Sequence, residues 1–349
     1  VNPLLVLVGG FLGAGKTSLI ACAAKILQAR ELRVAAIMND QDTGLVDTLK
    51  MEAESINTRE VAGGCFCCRF SDLLEAAGEL EAYQPDVIFA EPVGSCIDLS
   101  ATIIQPLKAF HRHSYRLAPL TVLFDPGLAQ QIYNGEVDHD MEYLFKNQLA
   151  EADILCMTKS DLQTPPASFP LPVDFYLSSK TQEGVESWLD EVMTGGRIAG
   201  SQLLQVDYAR YAEAEAALGW LNLHAHISLH VAASPAMLAG PLLEDLERRL
   251  TSERLTVAHA KIFNRTTSGY VKASICRNGA DPQADGDLLA DPELEHELAI
   301  NIRVIADPDL LVGIVSDALN DIKGDVVVKR QNCFRPSPPK PQHRFNAVV

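Results

Sequence analysis

Leu4-Leu5-Val6-Leu7-Val8-Gly9-Gly10-Phe11-Leu12-Gly13-Ala14-Gly15-Lys16-Thr17-Ser18 joins an apolar run, read as a buried strand, to the spacing GxxxxGK[ST] of a phosphate-binding loop. Gly10, Gly13 and Gly15 permit a tight turn. The backbone N–H groups of that turn, with those of Ala14 and Ser18, surround phosphate oxygens, and the helix beginning near Lys16 adds its positive end. Lys16 then reaches the β- and γ-phosphates, and the Thr17 hydroxyl ligates Mg²⁺. The predicted fold is α/β, a P-loop NTPase domain with a mostly parallel sheet, followed by a smaller α/β sandwich domain.

Outward from this loop, Leu32 to Met38 reads as a second strand, ending in the polar segment Asn39-Asp40-Gln41-Asp42-Thr43-Gly44, which suits a loop near phosphate and Mg²⁺. A third strand, Asp86 to Ala90, delivers Glu91-Pro92-Val93-Gly94 to the same sheet edge. Glu91 there polarises the attacking water or holds the Mg²⁺ shell, and Gly94 lets backbone approach the γ-phosphate. Between these strands lies Gly63-Gly64-Cys65-Phe66-Cys67-Cys68. Three soft donors within four residues suit Zn²⁺, Cu⁺ or a similar ion and leave a coordination position open for exchange. Reduced thiols packed under the nucleotide site, or a redox pair, are the competing readings. Cys22, Cys96, Cys156, Cys276 and Cys333 are scattered, and Cys22 and Cys156 sit in apolar contexts typical of inert thiols.

Farther along, Ile154-Leu155-Cys156-Met157 leads into Thr158-Lys159-Ser160-Asp161. Asp161 can accept two hydrogen bonds from guanine N1 and N2, the Lys159 stem can pack over the ring, and Ser179 and Lys180 are positioned to reach O6 through backbone N–H groups. Adenine offers no such donor pair.

These motifs resemble, in identity and order, those of the CobW-like metallochaperone GTPases, the wider group that includes hydrogenase and urease nickel-insertion GTPases. The resemblance rests on the phosphate loop, Gly-Cys-x-Cys-Cys at 64–68, the Glu91-to-Gly94 segment and Thr-Lys-x-Asp, and spans residues 4–190. It implies a GTPase whose cysteine-bound ion, zinc or cobalt, is coupled to nucleotide state and delivered to a client metalloprotein or cofactor-assembly protein. It maps Lys16 and Thr17 to phosphate and Mg²⁺, Cys65, Cys67 and Cys68 to the metal, and Lys159 and Asp161 to guanine. It also implies a homodimer across the nucleotide face. Thr158 departs from the commoner Asn, segment 39–47 lacks the usual acidic-aromatic-glycine run, and no histidine-rich tract is present. The rival readings are a nucleotide-gated assembly scaffold for a cobalt-cofactor enzyme, and an ATP-using phosphotransferase with a structural or regulatory cysteine site.

At 349 residues the chain exceeds what one core usually supports. The expected division is a GTPase domain at 1–195, a connector at 196–216, an interaction domain at 217–328 and an extended tail at 329–349. The second domain opens with period-two alternation, Trp220, Asn222, His224, His226, Ser228 and His230 on one face against Leu221, Leu223, Ala225, Ile227, Leu229 and Val231 on the other. His224 and His226 then stand about 6–7 Å apart along a strand, on a face read as solvated or interface-facing rather than as a metal site. A helix is expected at 235–250, strands at 255–263, 269–276 and 297–305, and a final helix at 307–322. The loop 278–289 lacks the carboxylate spacing of a calcium loop and reads as surface loop. The Pro-rich tail reads as an extended interaction arm or a disordered segment.

The 29 basic against 46 acidic side chains give a formal charge of −17, which argues against nonspecific nucleic-acid binding and against attachment to an anionic membrane. No apolar run has spanning length, and Val1-Asn2-Pro3-Leu4 enters the first strand without room for a signal peptide. Reduced thiols beside a nucleotide site point to the cytoplasm.

Overall fold

The computed structural model describes residues 2–43, 45–162, 172–194 and 196–349. Gly44 of the loop after Asn39 and Gly195 at the expected domain boundary lie outside the described residues. The chain divides into two compact units, one made of Val1–Thr43, Glu54–Ala212 and Pro338–Val349, the other of Gly44–Ala53 and Glu213–Ser337.

The first unit is built on β1 (Leu4–Gly10), β2 (Val34–Asn39), β3 (Asn57–Val61), β4 (Val87–Glu91), β5 (Arg116–Leu117), β6 (Thr121–Phe124), β7 (Ile154–Met157) and β8 (Phe175–Tyr176). They pair in the order β3-β2-β4-β1-β6-β7-β8, with β5 against β1, and the ladders are parallel. β1, β2, β4, β6 and β7 are buried throughout, as their near-continuous apolar sequences require of parallel strands covered on both faces. The connecting helices include α1 (Lys16–Ala29), α3 (Phe70–Glu79), α4 (Gln105–His111), α5 (Pro126–Tyr133), α6 (His139–Ala150) and α7 (Val185–Thr194), while α2 (Val46–Ala53) belongs to the second unit. β1 lies between β4 and β6, so the crevice at the carboxyl ends of these strands is where an open α/β sheet takes a ligand.

The second unit is a six-stranded sheet in the order β12-β11-β10-β13-β9-β14. α8 (Tyr208–Ala216) leads into it, followed by β9 (Leu218–Ala233), α9 (Pro235–Ser252), β10 (Thr256–Arg265), β11 (Tyr270–Ile275), β12 (Gln283–Gly286), β13 (Glu293–Ile305), α10 (Pro308–Asn320) and β14 (Gly324–Phe334). The ladders are antiparallel, and α9 and α10 cover one face. Leu221, Leu223, Ala225 and Ile227 of β9 share a core with Leu238, Leu242, Leu243, Leu246 and Leu250 of α9, as the alternation predicts. Ser234 caps α9, its hydroxyl accepting from the Met237 N–H at 3.3 Å.

The opposite face is less open than its polar residues imply. Trp220 and Asn222 are buried. The Arg303 guanidinium lies 4.1 Å over the Trp220 ring, and Asn301 donates to Asn222 at 2.9 Å. Val46 of α2 packs with Phe263 and Ala299, and its N–H donates to Asn301 Oδ1 at 2.9 Å. His226 lies between Glu297 at Nδ1 (2.9 Å) and Glu295 at Nε2 (2.7 Å), whose hydrogen bonds raise its pKa. Two further expectations are revised. The 278–289 segment contains β12, and residues 329–334 of the expected tail complete β14.

Asp47 of α2 is the polar anchor of this face, with Lys261 Nζ at 2.6 Å and Lys272 Nζ at 3.0 Å, beside an ion pair between Lys50 and Asp285. Burial alone would raise the Asp47 carboxyl, but the two ammonium groups outweigh it and hold it well below the usual carboxylate range. A depressed carboxyl contributes stability that is complete at neutral pH and is lost as pH falls through its folded-state value. Asp47→Asn removes the carboxylate that faces both ammonium groups in a largely buried site and should cost about 3 kcal/mol. Urea unfolding of the variant at pH 7 checks this, and an unchanged midpoint would refute the anchor.

Candidate functional site

The phosphate loop forms because β1 ends against β6. Gly10 has φ 129°, and a Cβ there would collide with the Leu123 carbonyl. Gly15, at φ 92°, turns the chain into α1. Lys16 folds back over the loop, Nζ donating to Gly10 O at 2.9 Å and lying 3.4 Å from Phe11 O. Glu91, at the end of β4, is 6 % exposed, accepts from the Thr17 hydroxyl at 3.2 Å and lies 3.9 Å from Lys16 Nζ. Lys16 and Thr17 therefore meet Glu91, 74 residues farther along the chain, at one point. Gly94 is close by, but its first constraint is steric: a Cβ would lie 2.7 Å from Leu12 Cδ2 and 3.1 Å from Leu12 N.

The base-motif segment is tied to the same loop. The Thr158 hydroxyl lies 2.7 Å from Ala14 O and 3.1 Å from Phe124 O, and the Thr158 N–H donates to Phe124 O. Thr at the position where Asn is commoner therefore still braces the loop. Lys159 has φ 58° and pairs with the buried Asp125 at 2.7 Å, while Asp125 also caps α5 by accepting from Leu128 N–H. Asp161 is exposed. The Ser160 N–H donates to Leu177 O at 3.2 Å, drawing this segment to the turn that carries Ser179 and Lys180.

The cysteine run forms a turn at the start of α3, Cys65 O accepting from the N–H groups of Cys68 (2.9 Å) and Arg69 (3.0 Å). The sulfurs converge, Cys65–Cys67 at 2.7 Å, Cys65–Cys68 at 3.2 Å and Cys67–Cys68 at 3.7 Å. Tetrahedral thiolates on zinc at about 2.3 Å would stand roughly 3.8 Å apart, so the third pair already has that spacing and the others need only spread. The donor set fits a soft divalent ion. Cys65 and Cys67 are buried and Cys68 is half-buried. Hydrogen bonds from the neighbouring thiols of Cys67, Cys68 and Cys96 hold Cys65 well below its ordinary range. The same contacts push Cys67 up, and Cys68 up to about 11 through its hydrogen bond with Cys65.

Two participants escaped the sequence reading. Cys96, set aside as scattered, is 1 % exposed, and its thiol is among the neighbours that lower the pKa of Cys65. It is positioned by a turn to Val93 O and by Gln148 Nε2, which donates to Gly94 O and Cys96 O at 2.9 Å each. Asn39, read as part of a phosphate-side loop, aims its carboxamide at the cysteine loop. Nδ2 donates to Val61 O and Gly64 O at 2.8 Å each, and Oδ1 accepts from Phe66 N–H at 2.8 Å.

Among the described residues, no helix is long and apolar enough to cross a membrane. Thr158→Val keeps the side-chain shape and deletes the brace to Ala14 O. It should weaken nucleotide binding about fivefold, the equivalent of one hydrogen bond, which a fluorescent-nucleotide titration reads; unchanged affinity would remove the brace from the site.

A family model described as "CobW/HypB/UreG, nucleotide-binding domain" matches residues 4–169. The zinc chaperone YeiR of Escherichia coli (strain K12) is 28 % identical over 167 residues, 46 % of this chain and 47 % of that protein, so the match spans about half the length of this curated relative. Among solved structures, HypB from Helicobacter pylori in complex with nickel aligns with 57 % of this chain and 91 % of its own, at 15 % identity and a TM-score of 0.41. Zn(II)-bound YjiA GTPase from E. coli aligns with 91 % of this chain and 99 % of its own, at 13 % identity and a TM-score of 0.31. These overlays are loose, and the assignment rests on the sequence match together with the phosphate loop and its sheet. Residues 4–169 of this chain therefore form a P-loop nucleotide-binding domain similar to that of the CobW/HypB/UreG proteins.

Proposed function

We propose that the protein is a GTP-hydrolysing metallochaperone that binds a transition metal, zinc or cobalt, through Cys65, Cys67 and Cys68 and delivers it to a client protein in the cytoplasm. The observation that carries this reading is Asn39. It ends β2, directly before the polar segment 40–43, and its carboxamide holds the loop that presents the thiols. A γ-phosphate that orders residues 39–47 and 91–98 would therefore act on both ends of the cysteine site, through Asn39 on one side and through the Cys96 segment on the other.

The geometry of the phosphate loop supports the proposed hydrolytic roles. Gly10, Gly13, Ala14, Gly15 and Ser18 supply backbone N–H groups to the phosphates, and Lys16, released from the loop carbonyls, offsets charge on the transferring phosphoryl. Mg²⁺, when bound, neutralises the β- and γ-phosphate oxygens. The Thr17 hydroxyl and the Glu91 carboxylate, already in contact, form a donor pair of the right hardness for that ion's shell. Asp161 would select guanine, with Lys159 and the Ser179–Lys180 turn framing the base. A client metalloprotein or cofactor-assembly protein, and a homodimer across the nucleotide face, complete the proposed cycle.

Zinc titrated by dye competition should bind with affinities at least tenfold apart in Mg²⁺-GTP and Mg²⁺-GDP, within the usual range of coupling energies. Asn39→Ala should shrink that ratio toward one while leaving zinc stoichiometry intact. Changing Cys65, Cys67 and Cys68 to Ser together should abolish the stoichiometric site while GTP still binds. Equal affinities in both nucleotide states would overturn the chaperone cycle. For base selection, Asp161→Asn should cut the preference for GTP over ATP roughly 10- to 100-fold, the cost of losing charge-assisted hydrogen bonds; competition between the two nucleotides for the wild-type and variant sites decides it.

A further inference from the structure

The Pro-rich segment after β14 reads by composition as an arm, yet it lies on the first unit along the cysteine site. Lys340 N–H donates to Cys68 Sγ at 3.1 Å, and Gln342 N–H donates to Cys67 O at 2.8 Å. The Gln342 carboxamide then pairs with Ser71, accepting from its N–H at 3.0 Å and reaching its hydroxyl at 3.2 Å. The His343 ring packs edge-on against Phe70 at 5.2 Å, and Arg344 reaches Asp98 Oδ2 at 2.7 Å, two residues beyond Cys96. Phe345 N–H closes the run on Ala101 O at 3.0 Å. These contacts fall on 67–71 and on 98–101, the two stretches that flank the thiols.

The position of the first contact gives the segment its role. Of the three clustered thiols, Cys65 and Cys67 are buried and Cys68 alone is partly exposed, so an ion or an incoming ligand meets Cys68 first. The segment lies on that thiol, with its backbone N–H aimed at the sulfur. A thiolate bonded to a metal keeps lone pairs that accept such a donor, and donors of this kind orient a ligand and strengthen its hold on the ion. We propose that residues 338–345 are a strap over the cysteine site that sets the rate at which metal enters and leaves it, so that transfer to a client requires the strap to lift. This rests on the metal reading given above.

The Lys340 donor belongs to the backbone, which permits a narrow test in the full-length protein. Lys340→Pro removes the N–H within a run that is already Pro-rich, Lys340→Ala keeps it, and Gln342→Ala cuts the neighbouring tie through Ser71. Two rates are read: alkylation of Cys68 in the metal-free protein, followed by peptide mass, and transfer of bound Zn²⁺ to a chelating dye. Lys340→Pro and Gln342→Ala should each raise both rates about fivefold or more, with Lys340→Ala close to wild type. Rates within twofold of wild type in both strap variants would overturn the proposal, as would faster alkylation without faster zinc transfer. If Lys340→Pro loses GTP binding through misfolding, Gln342→Ala alone decides. Should the wild-type protein take up no zinc at its cysteines, the metallochaperone reading fails instead, and the strap with it as a control of exchange. The alkylation rates would still report whether the segment covers Cys68.

Discussion

The carboxamide of Asn39 is the constraint on which the site depends. A buried side chain with two donors and an acceptor must satisfy all of them or lose stability, and here the partners are Val61 O, Gly64 O and Phe66 N–H. That requirement fixes the path of the glycine–cysteine loop relative to the end of β2. It leaves little freedom for the thiols to rearrange unless the residues following Asn39 also move. The same economy governs the phosphate loop. Thr158 braces Ala14 from one side and Glu91 meets Thr17 and Lys16 from the other, so each catalytic candidate is held by a neighbour that itself has a role.

Much of this was legible where the signal is local. The phosphate loop is a contiguous motif whose glycine spacing dictates backbone shape, and the three thiols are close enough in sequence that one turn must bring them together. The alternation of β9 and the leucine stripe of α9 gave the core of the second unit for the same reason: period and face are properties of a short window. The thiol of Cys96 could not be read in this way. Its neighbours in sequence say nothing of Cys65, and only the return of β4 beside β1 and β2 brings the two loops together.

The polar face of β9 shows the limit of such a window. Asn222, His224 and His226 alternate as solvated residues do, yet α2, from far earlier in the chain, covers part of that face, and Asp47 brings a carboxylate to lysines that would otherwise look solvent-directed. Composition left the far end open. A segment rich in proline and poor in apolar residues reads as an arm because it forms no helix or strand of its own. Its order comes instead from hydrogen bonds to partners hundreds of residues away, and proline's fixed φ lowers the entropy lost in holding it there.

The two units are interleaved along the chain: α2 is supplied to the second by a stretch inside the first, and the last residues return to the first after the second is complete. One consequence concerns synthesis. As the chain emerges from the ribosome, the parallel sheet and the phosphate loop can form early, but the backbone donor to Cys68 Sγ does not exist until Lys340 has been made. The cysteine run is thus made, and can reach its turn, before the segment that donates to Cys68 exists.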